Sequence, residues 1–270
     1  MSIVVWASTI GSVTGPNLAE PAGRLTALLG GPGEAGPYLL SAAAFAGAAL
    51  VVWAGLRPDP LVVARGAVAS PTRTNLAAAW ASLRASGTAQ LALAGIVLSH
   101  LVMVGLMSMT PVHMDHGGAS LRVVGVVISL HIAGMFALSP LIGWLADRVG
   151  RVPVLAVGAL LLLASGAVSA SAPSTGAVQL SVGLTLLGVG WSCALVAGSA
   201  LLTESVPAAV RPDVQGLSDL AMNTGGALGG VLAGVAVAVT SYAALAVAVV
   251  VLVLPFLAVT VSVSVRTRPA

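Results

Sequence analysis

The sequence predicts an all-α membrane protein, and three observations carry that expectation. Hydrophobic residues make up 58% of the 270-residue chain and charged residues only 7%, too few to cover a water-facing surface. Apolar runs of about 18 or more residues recur, each long enough as a helix to cross about 30 Å of hydrocarbon. Strand-period alternation is absent, which argues against a barrel. A mean hydropathy of +1.06 agrees.

Eight spans are expected, at roughly 2–19, 37–55, 89–110, 122–145, 152–172, 178–202, 214–239 and 241–264. Eleven arginines and no lysine give the chain a formal charge of +3, and their placement reports topology rather than nucleic-acid binding. With the segment 56–88 in the cytoplasm, nine arginines (57, 65, 73, 84, 148, 151, 211, 266 and 268) fall on that side. Only Arg24 and Arg122 fall outside. That asymmetry satisfies the positive-inside rule through all eight spans and puts the carboxy terminus in the cytoplasm. The expected setting is a multi-pass protein of the plasma membrane. Met1 runs into the first span without a basic leader, unlike a secretory signal. The single Cys193 lies within a span and has no partner for an intrachain disulfide.

The interior segment 56–88 is rich in proline and arginine and reads as a linker, with two spans before it and six after. Its end, "NLAAAWASLRAS", has the pattern of a helix lying on the membrane surface with Trp80 at the headgroups. In span seven, Gly226, Gly230 and Gly234 recur every fourth residue, as do Gly225 and Gly229. The expected role of this smooth stripe is helix packing, without chemistry. In span one, Gly11 and Gly15 share that spacing, and Pro16 follows, permitting a bend.

Residues 143–155, "GWLADRVGRVPVL", sit at the turn between spans four and five. Gly143, Leu145, Ala146, Asp147, Arg148, Gly150 and Arg151 closely resemble the loop signature of the major facilitator superfamily, Gly-x-Leu-Ala-Asp-Arg-x-Gly-Arg. The resemblance implies a conformational latch built from Gly143, Asp147, Arg148, Gly150 and Arg151, holding one face of a rocking transporter closed. A turn of charged residues obeying the positive-inside rule explains the arginines but not the glycines. Gly11, Gly15 and Pro16 resemble the Gly-Pro motif of that family's fifth helix, although Ala19 and Glu20 stand where a glycine pair is usual. The implied fold is an incomplete major facilitator fold. Residues 1–55 are then the last two helices of the amino-terminal half, 56–88 the central cytoplasmic linker, and 89–270 the six-helix carboxy-terminal half. On that register four helices precede span one, and Met1 reads either as the true start or as a misassigned one.

The distribution of methionine and histidine is uneven. Nine of the ten such residues after Met1 lie between His100 and Met135, where an even scatter would put about one. Met103 and Met107 share a helix face in span three; His131 and Met135 share one in span four. Depth arithmetic sets Met103 about 12 Å and His131 about 14 Å below the outer ends of their spans. If those faces oppose, the four side chains form a ladder of soft ligands. Thioether and imidazole suit Cu(I) better than oxygen-seeking cations, and a weak multi-step site suits passage. A methionine pair alone is more often core filler, but a histidine within a bilayer span is costly and is either functional or hydrogen-bonded to a neighbouring helix.

"MVGLM" (103–107) and "HIAGM" (131–135) also resemble the motifs of the CcoA-like copper importers, a narrower branch of that superfamily. The resemblance makes Met107 and His131 central ligands, assisted by Met103 and Met135, with copper the substrate and no resident cofactor. His113, Met114 and His116 in the outer loop read equally as a metal-collecting vestibule or as a solvated loop. His100 reads as a packing or proton-relay histidine. Asp213 is expected to cap span seven, and Glu204 to sit at headgroup level. Asp219, deeper by about 9 Å, is expected to pair with an arginine as a gate, or to carry a coupling proton. No catalytic base accompanies "HMDH", so an enzyme is not expected. The partners are the lipid bilayer and a small-molecule or metal-ion substrate, not nucleic acid. Two alternatives stand beside copper transport: a transporter of an organic solute such as a drug, sugar or vitamin, and a truncated remnant that transports nothing.

Overall fold

The computed structural model describes residues 2–57 and 75–266. Arg65, Arg73 and Arg268, assigned above to the cytoplasmic side, lie outside the described residues. Among those described, the structure is helical without strands: α1 (Ser2–Leu28), α2 (Gly36–Gly55), α3 (Leu76–Ala85), α4 (Gly87–His116), α5 (Leu121–Phe136), α6 (Ser139–Val149), α7 (Arg151–Ala170), α8 (Ala177–Glu204), α9 (Arg211–Val239) and α10 (Tyr242–Arg266). Seven helical stretches among the described residues are long and apolar enough to cross a membrane, one of them Leu121–Val149 in two pieces. α1 covers the first expected span and is 27 residues long, but it is not among those seven.

The chain divides into two compact units, residues 17–74 and residues 1–16 with 75–270. The smaller holds a helical hairpin whose return is a short 3₁₀ turn, Gly33–Ala35. The hairpin closes tightly: a Cβ on Gly36 would stand 2.3 Å from the Ala22 carbonyl oxygen. Glu20 and Arg24 pair one turn apart on its first helix. Residues 38–57 are exposed along their whole length, the condition of an apolar helix whose neighbours are lipid or further helices.

In the larger unit α8 is the central helix. It packs along α4, α5 and α7, while α9 lies on α4 and α10 on α7. Small residues make this possible, because backbones approach only where side chains do not intervene. A Cβ on Gly188 would stand 2.3 Å from the His131 carbonyl oxygen of α5, and one on Gly190 would stand 3.0 Å from the Gly158 carbonyl of α7. The glycine stripe of α9 packs on α4 as expected, through Gly225, Gly226 and Gly229 but not Gly234, which faces open space.

Three local expectations are corrected. Span four is not one helix: α5 ends at Phe136 and α6 begins at Ser139. Pro140 has no N–H to offer the Phe136 carbonyl, so the hydrogen-bond ladder is interrupted there, and the Ser139 hydroxyl donates to the Met135 carbonyl at 3.1 Å. Residues 111–116 are not an outer loop; α4 carries through Pro111 to His116. Asp213 is not the cap of its own helix, which starts at Arg211 after Val210. Its carboxylate instead accepts the Asn75 backbone N–H at 2.9 Å.

That last contact ties α3 to α9, and Asn75 in turn caps α3, its side-chain oxygen accepting from the Ala78 N–H at 2.9 Å. α3 buries Ala79 and Leu83 in a core shared with Leu202 and Val214, and leaves Trp80 half exposed beneath the Arg84 guanidinium. Asn75→Ala is expected to destabilise the protein by about 1 kcal/mol through loss of the cap. Asn75→Asp keeps the cap but sets its carboxylate near that of Asp213. Both should lower the thermal midpoint in detergent, and midpoints unchanged from wild type would show that α3 is not held by this junction.

Candidate substrate site

α4 and α5 are consecutive in sequence but meet only at their margins, with α8 between them along most of their length. Where they do meet, they form an open cavity of about 350 Å³ lined by Met103, Val104, Met107 and Ser108 from α4 and Ile132, Met135 and Phe136 from α5. Three of the four expected ladder residues are therefore brought together. The i, i+4 spacing of Met103 and Met107 puts both on the face turned to the cavity. Only one hydroxyl, that of Ser108, lines it, and this donates to the Gly105 carbonyl at 3.1 Å. Beside that oxygen, the side-chain atoms with lone pairs in the lining are the three thioether sulfurs.

His131, the fourth residue, does not line this cavity. It is fully buried, and its Nδ1 lies 2.7 Å from the Leu184 carbonyl oxygen of α8. A carbonyl only accepts, so Nδ1 carries the proton and Nε2 holds the bare lone pair of a neutral ring. Nε2 is buried and has no hydrogen-bond partner among the described residues. This is the tautomer of a metal-ligating histidine oriented by a backbone carbonyl.

His100 is held differently. The Trp191 indole N–H donates to its Nδ1 at 3.0 Å, and a Cβ on Gly226 would stand 2.6 Å from its Cδ2. Trp191 meets Phe136, a wall of the methionine cavity, edge-on at 5.9 Å between centroids. A chain of ring contacts thus links cavity, Trp191 and His100.

At the α4 carboxy-terminal end, the residues expected as a vestibule part company. Met114 is fully buried in the main core. His113 stacks on Tyr242 at 4.3 Å, and its Nε2 lies 3.2 Å from the Ala172 carbonyl. The Tyr242 hydroxyl is 2.8 Å from that of Thr110. His116 is exposed at the helix end. Among the described residues no three of His, Cys, Asp and Glu come together as a metal site.

At the opposite end, Gly150 takes a φ of +98°, which glycine adopts without strain, and turns the chain between α6 and α7. Arg151 then reaches back, donating to the Ala146 carbonyl at 2.8 Å and pairing with Asp147 and Glu204 at 2.9 Å each. Arg148 lies over the Trp144 ring and makes no ion pair among the described residues. Gly143 is not a tight contact; a Cβ there would meet only Val196, at 3.9 Å. Asp219 accepts from the Gln215 amide at 3.0 Å and pairs with no arginine among the described residues.

Glu204, Trp191, Tyr242 and Leu184 were not assigned these contacts from sequence. Each meets its partner across 50 or more residues of chain, and no local spacing signals such a pairing.

A multi-span helical membrane protein with a cavity between two helices and a charged turn at one end is the class that this geometry defines. Comparison with known proteins narrows it. Residues 113–270 match the Major Facilitator Superfamily model. The chain is 39% identical over 248 residues to the uncharacterized MFS-type transporter YdeG of Bacillus subtilis (strain 168), covering 91% of this chain and 58% of that protein. It is 38% identical to the uncharacterized MFS-type transporter YddS of the same organism, covering 90% and 57%. A riboflavin transporter, RfnT of Brucella anthropi, is 29% identical over 132 residues, 49% of this chain and 33% of that one. The chain belongs to the Major Facilitator Superfamily. It spans a little under three-fifths of the length of its two Bacillus relatives.

Proposed function

We propose that this chain provides the carboxy-terminal part of a secondary transporter whose cargo is copper, carried as Cu(I). Residues 1–55 and 89–270 belong to its two halves and 56–88 joins them, with that linker and the carboxy terminus on the cytoplasmic side by the arginine asymmetry. One observation carries the reading: Met103, Met107 and Met135, from two helices, line a single cavity whose lining includes no carboxylate. Soft thioethers in such surroundings favour Cu(I) over Mg²⁺, Ca²⁺ or Mn²⁺. The bare, buried Nε2 of His131 supports the same reading, as a ligand reached when the helices shift. Arg151, with Asp147 and Glu204, acts as a latch rather than as part of the cargo site.

Met107→Leu tests this directly, since it keeps volume and hydrophobicity and removes only the sulfur. Copper accumulation by cells expressing a full-length form is expected to fall about tenfold or more, and likewise for His131→Ala. Smaller losses are expected for Met103→Ala and Met135→Ala. A second reading, transport of an organic solute, is favoured by Val104, Ile132 and Phe136 in the cavity wall, and by the relative named a riboflavin transporter. Normal copper uptake by Met107→Leu would move the assignment to that reading. No uptake of any solute by the wild type would favour a non-transporting remnant.

A further inference from the structure

A second cleft lies between the first turns of α5 and α8. It encloses about 320 Å³, lined by Arg122, Val123, Val126 and Val127 from α5 and by Val178 and Ser181, among others, from α8. Both helices begin at the end of the bundle opposite Arg151, because α5 and α6 run from Leu121 to the Gly150 turn and α8 ends at Glu204. Val127 forms the floor at 1% exposure, while Val126 and Val178 stand at the rim, 47% and 80% exposed. The Ser181 hydroxyl is occupied, donating to the Ala177 carbonyl at 2.7 Å. The cleft therefore has apolar walls and a single charge at its mouth.

That charge has no protein partner. Arg122 is exposed and makes neither an ion pair nor a hydrogen bond among the described residues, and no acidic side chain lines the cleft. The other guanidinium groups of this unit whose side chains are described, Arg84, Arg148, Arg151 and Arg211, all lie against an aromatic ring, a carboxylate or a carbonyl. α8 starts from Gly176, which supplies no side-chain cap, so its positive helix end adds to the field of Arg122. Positive charge at one end and valine walls running down the helices complement an amphiphile with an anionic head.

We propose that this cleft binds an anionic phospholipid, its phosphate on Arg122 and one acyl chain between α5 and α8. The site is separate from the methionine cavity, which is formed by α4 and α5, and does not depend on the cargo. A bound lipid fills the seam between α5 and the central helix at the end opposite the Arg151 network, and so stabilises their packing.

The test uses the full chain, purified and stripped of lipid in detergent, then given phosphatidylglycerol or phosphatidylcholine, with bound lipid counted by native mass spectrometry. Phosphatidylglycerol is expected to be preferred, and Arg122→Gln to lower its occupancy about fivefold, the effect of one surface arginine on an anionic lipid. Arg122→Lys should retain it. Val126→Trp fills the cleft while leaving the charge, and should also expel the lipid. Arg122 is exposed, so its variants should keep the wild-type melting temperature in detergent without lipid. Equal phosphatidylglycerol occupancy in wild type and Arg122→Gln overturns the proposal, as does full occupancy in Val126→Trp. Equal retention of phosphatidylcholine, or displacement of phosphatidylglycerol by inorganic phosphate, overturns it too.

Discussion

Alanine at Gly229 is expected to destabilise the protein by about 3 kcal/mol, whereas alanine at Gly234, five residues along the same helix, should be neutral or slightly stabilising. The added Cβ at Gly229 would stand 2.3 Å from the Leu101 carbonyl oxygen and 3.0 Å from its carbon. Both are backbone atoms, so no rotamer change relieves the overlap, and α9 must separate from α4 along its length. At Gly234 nothing lies within 4 Å, and alanine only restricts the unfolded chain. Gly188→Ala should behave like Gly229→Ala, since its Cβ would press on the His131 carbonyl at 2.3 Å. Thermal unfolding in one detergent compares all three. Equal midpoints for Gly229→Ala and Gly234→Ala would mean that α9 does not contact α4 in this register.

Arg151→Ala comes next in size. The side chain, at the start of α7, is only 24% exposed and serves three acceptors on two other elements: the Ala146 carbonyl and Asp147 of α6, and Glu204 at the end of α8. Its removal is expected to cost about 2 kcal/mol, mostly from the charge-assisted bonds to the less exposed groups. Asp147 is 74% exposed, so Asp147→Asn alone should cost well under about 1 kcal/mol. Lysine holds its three N–H donors on one nitrogen and cannot span the positions that Nη1 and Nη2 of Arg151 occupy, so Arg151→Lys should fall between. A stability ranking with Asp147→Asn below Arg151→Ala would show that the turn, not the fork, holds the three helix ends. In a transporting full-length form, loosening this network should alter the rate of conformational exchange and leave cargo affinity nearly unchanged.

Much of the architecture was legible from hydropathy, because a bilayer enforces helices and their minimum length regardless of tertiary detail. The α9 stripe was legible for a similar reason: small residues every fourth position have few uses in lipid besides close packing. Which helix stands in the middle was not. The glycines of α8 are irregularly spaced, and their fit to α5 and α7 exists only once the helices are assembled. The break at Ala137–Leu138 was hidden by the continuous apolar run around Pro140, which hydropathy reads as one span. Spacing put Met103 and Met107 on one face of their helix, and both line the cavity together with Met135. It could not show that His131, on the same helix as Met135, spends its Nδ1 proton on Leu184 of a third helix.

The Trp191–His100 contact has a consequence for the seam it crosses. An indole N–H can only give a hydrogen bond, so the contact lasts only while Nδ1 of His100 keeps its lone pair. A proton taken up there converts acceptor to donor, and two N–H groups then face each other 3.0 Å apart. No carboxylate is paired with His100 among the described residues to compensate, and Gly226 leaves the ring no side chain to lean on across α9. The added charge would be registered as a contact withdrawn rather than one made. Trp191 is held in the main core by its packing, so the loss would fall on its N–H, left without an acceptor beside the Phe136 ring that walls the methionine cavity.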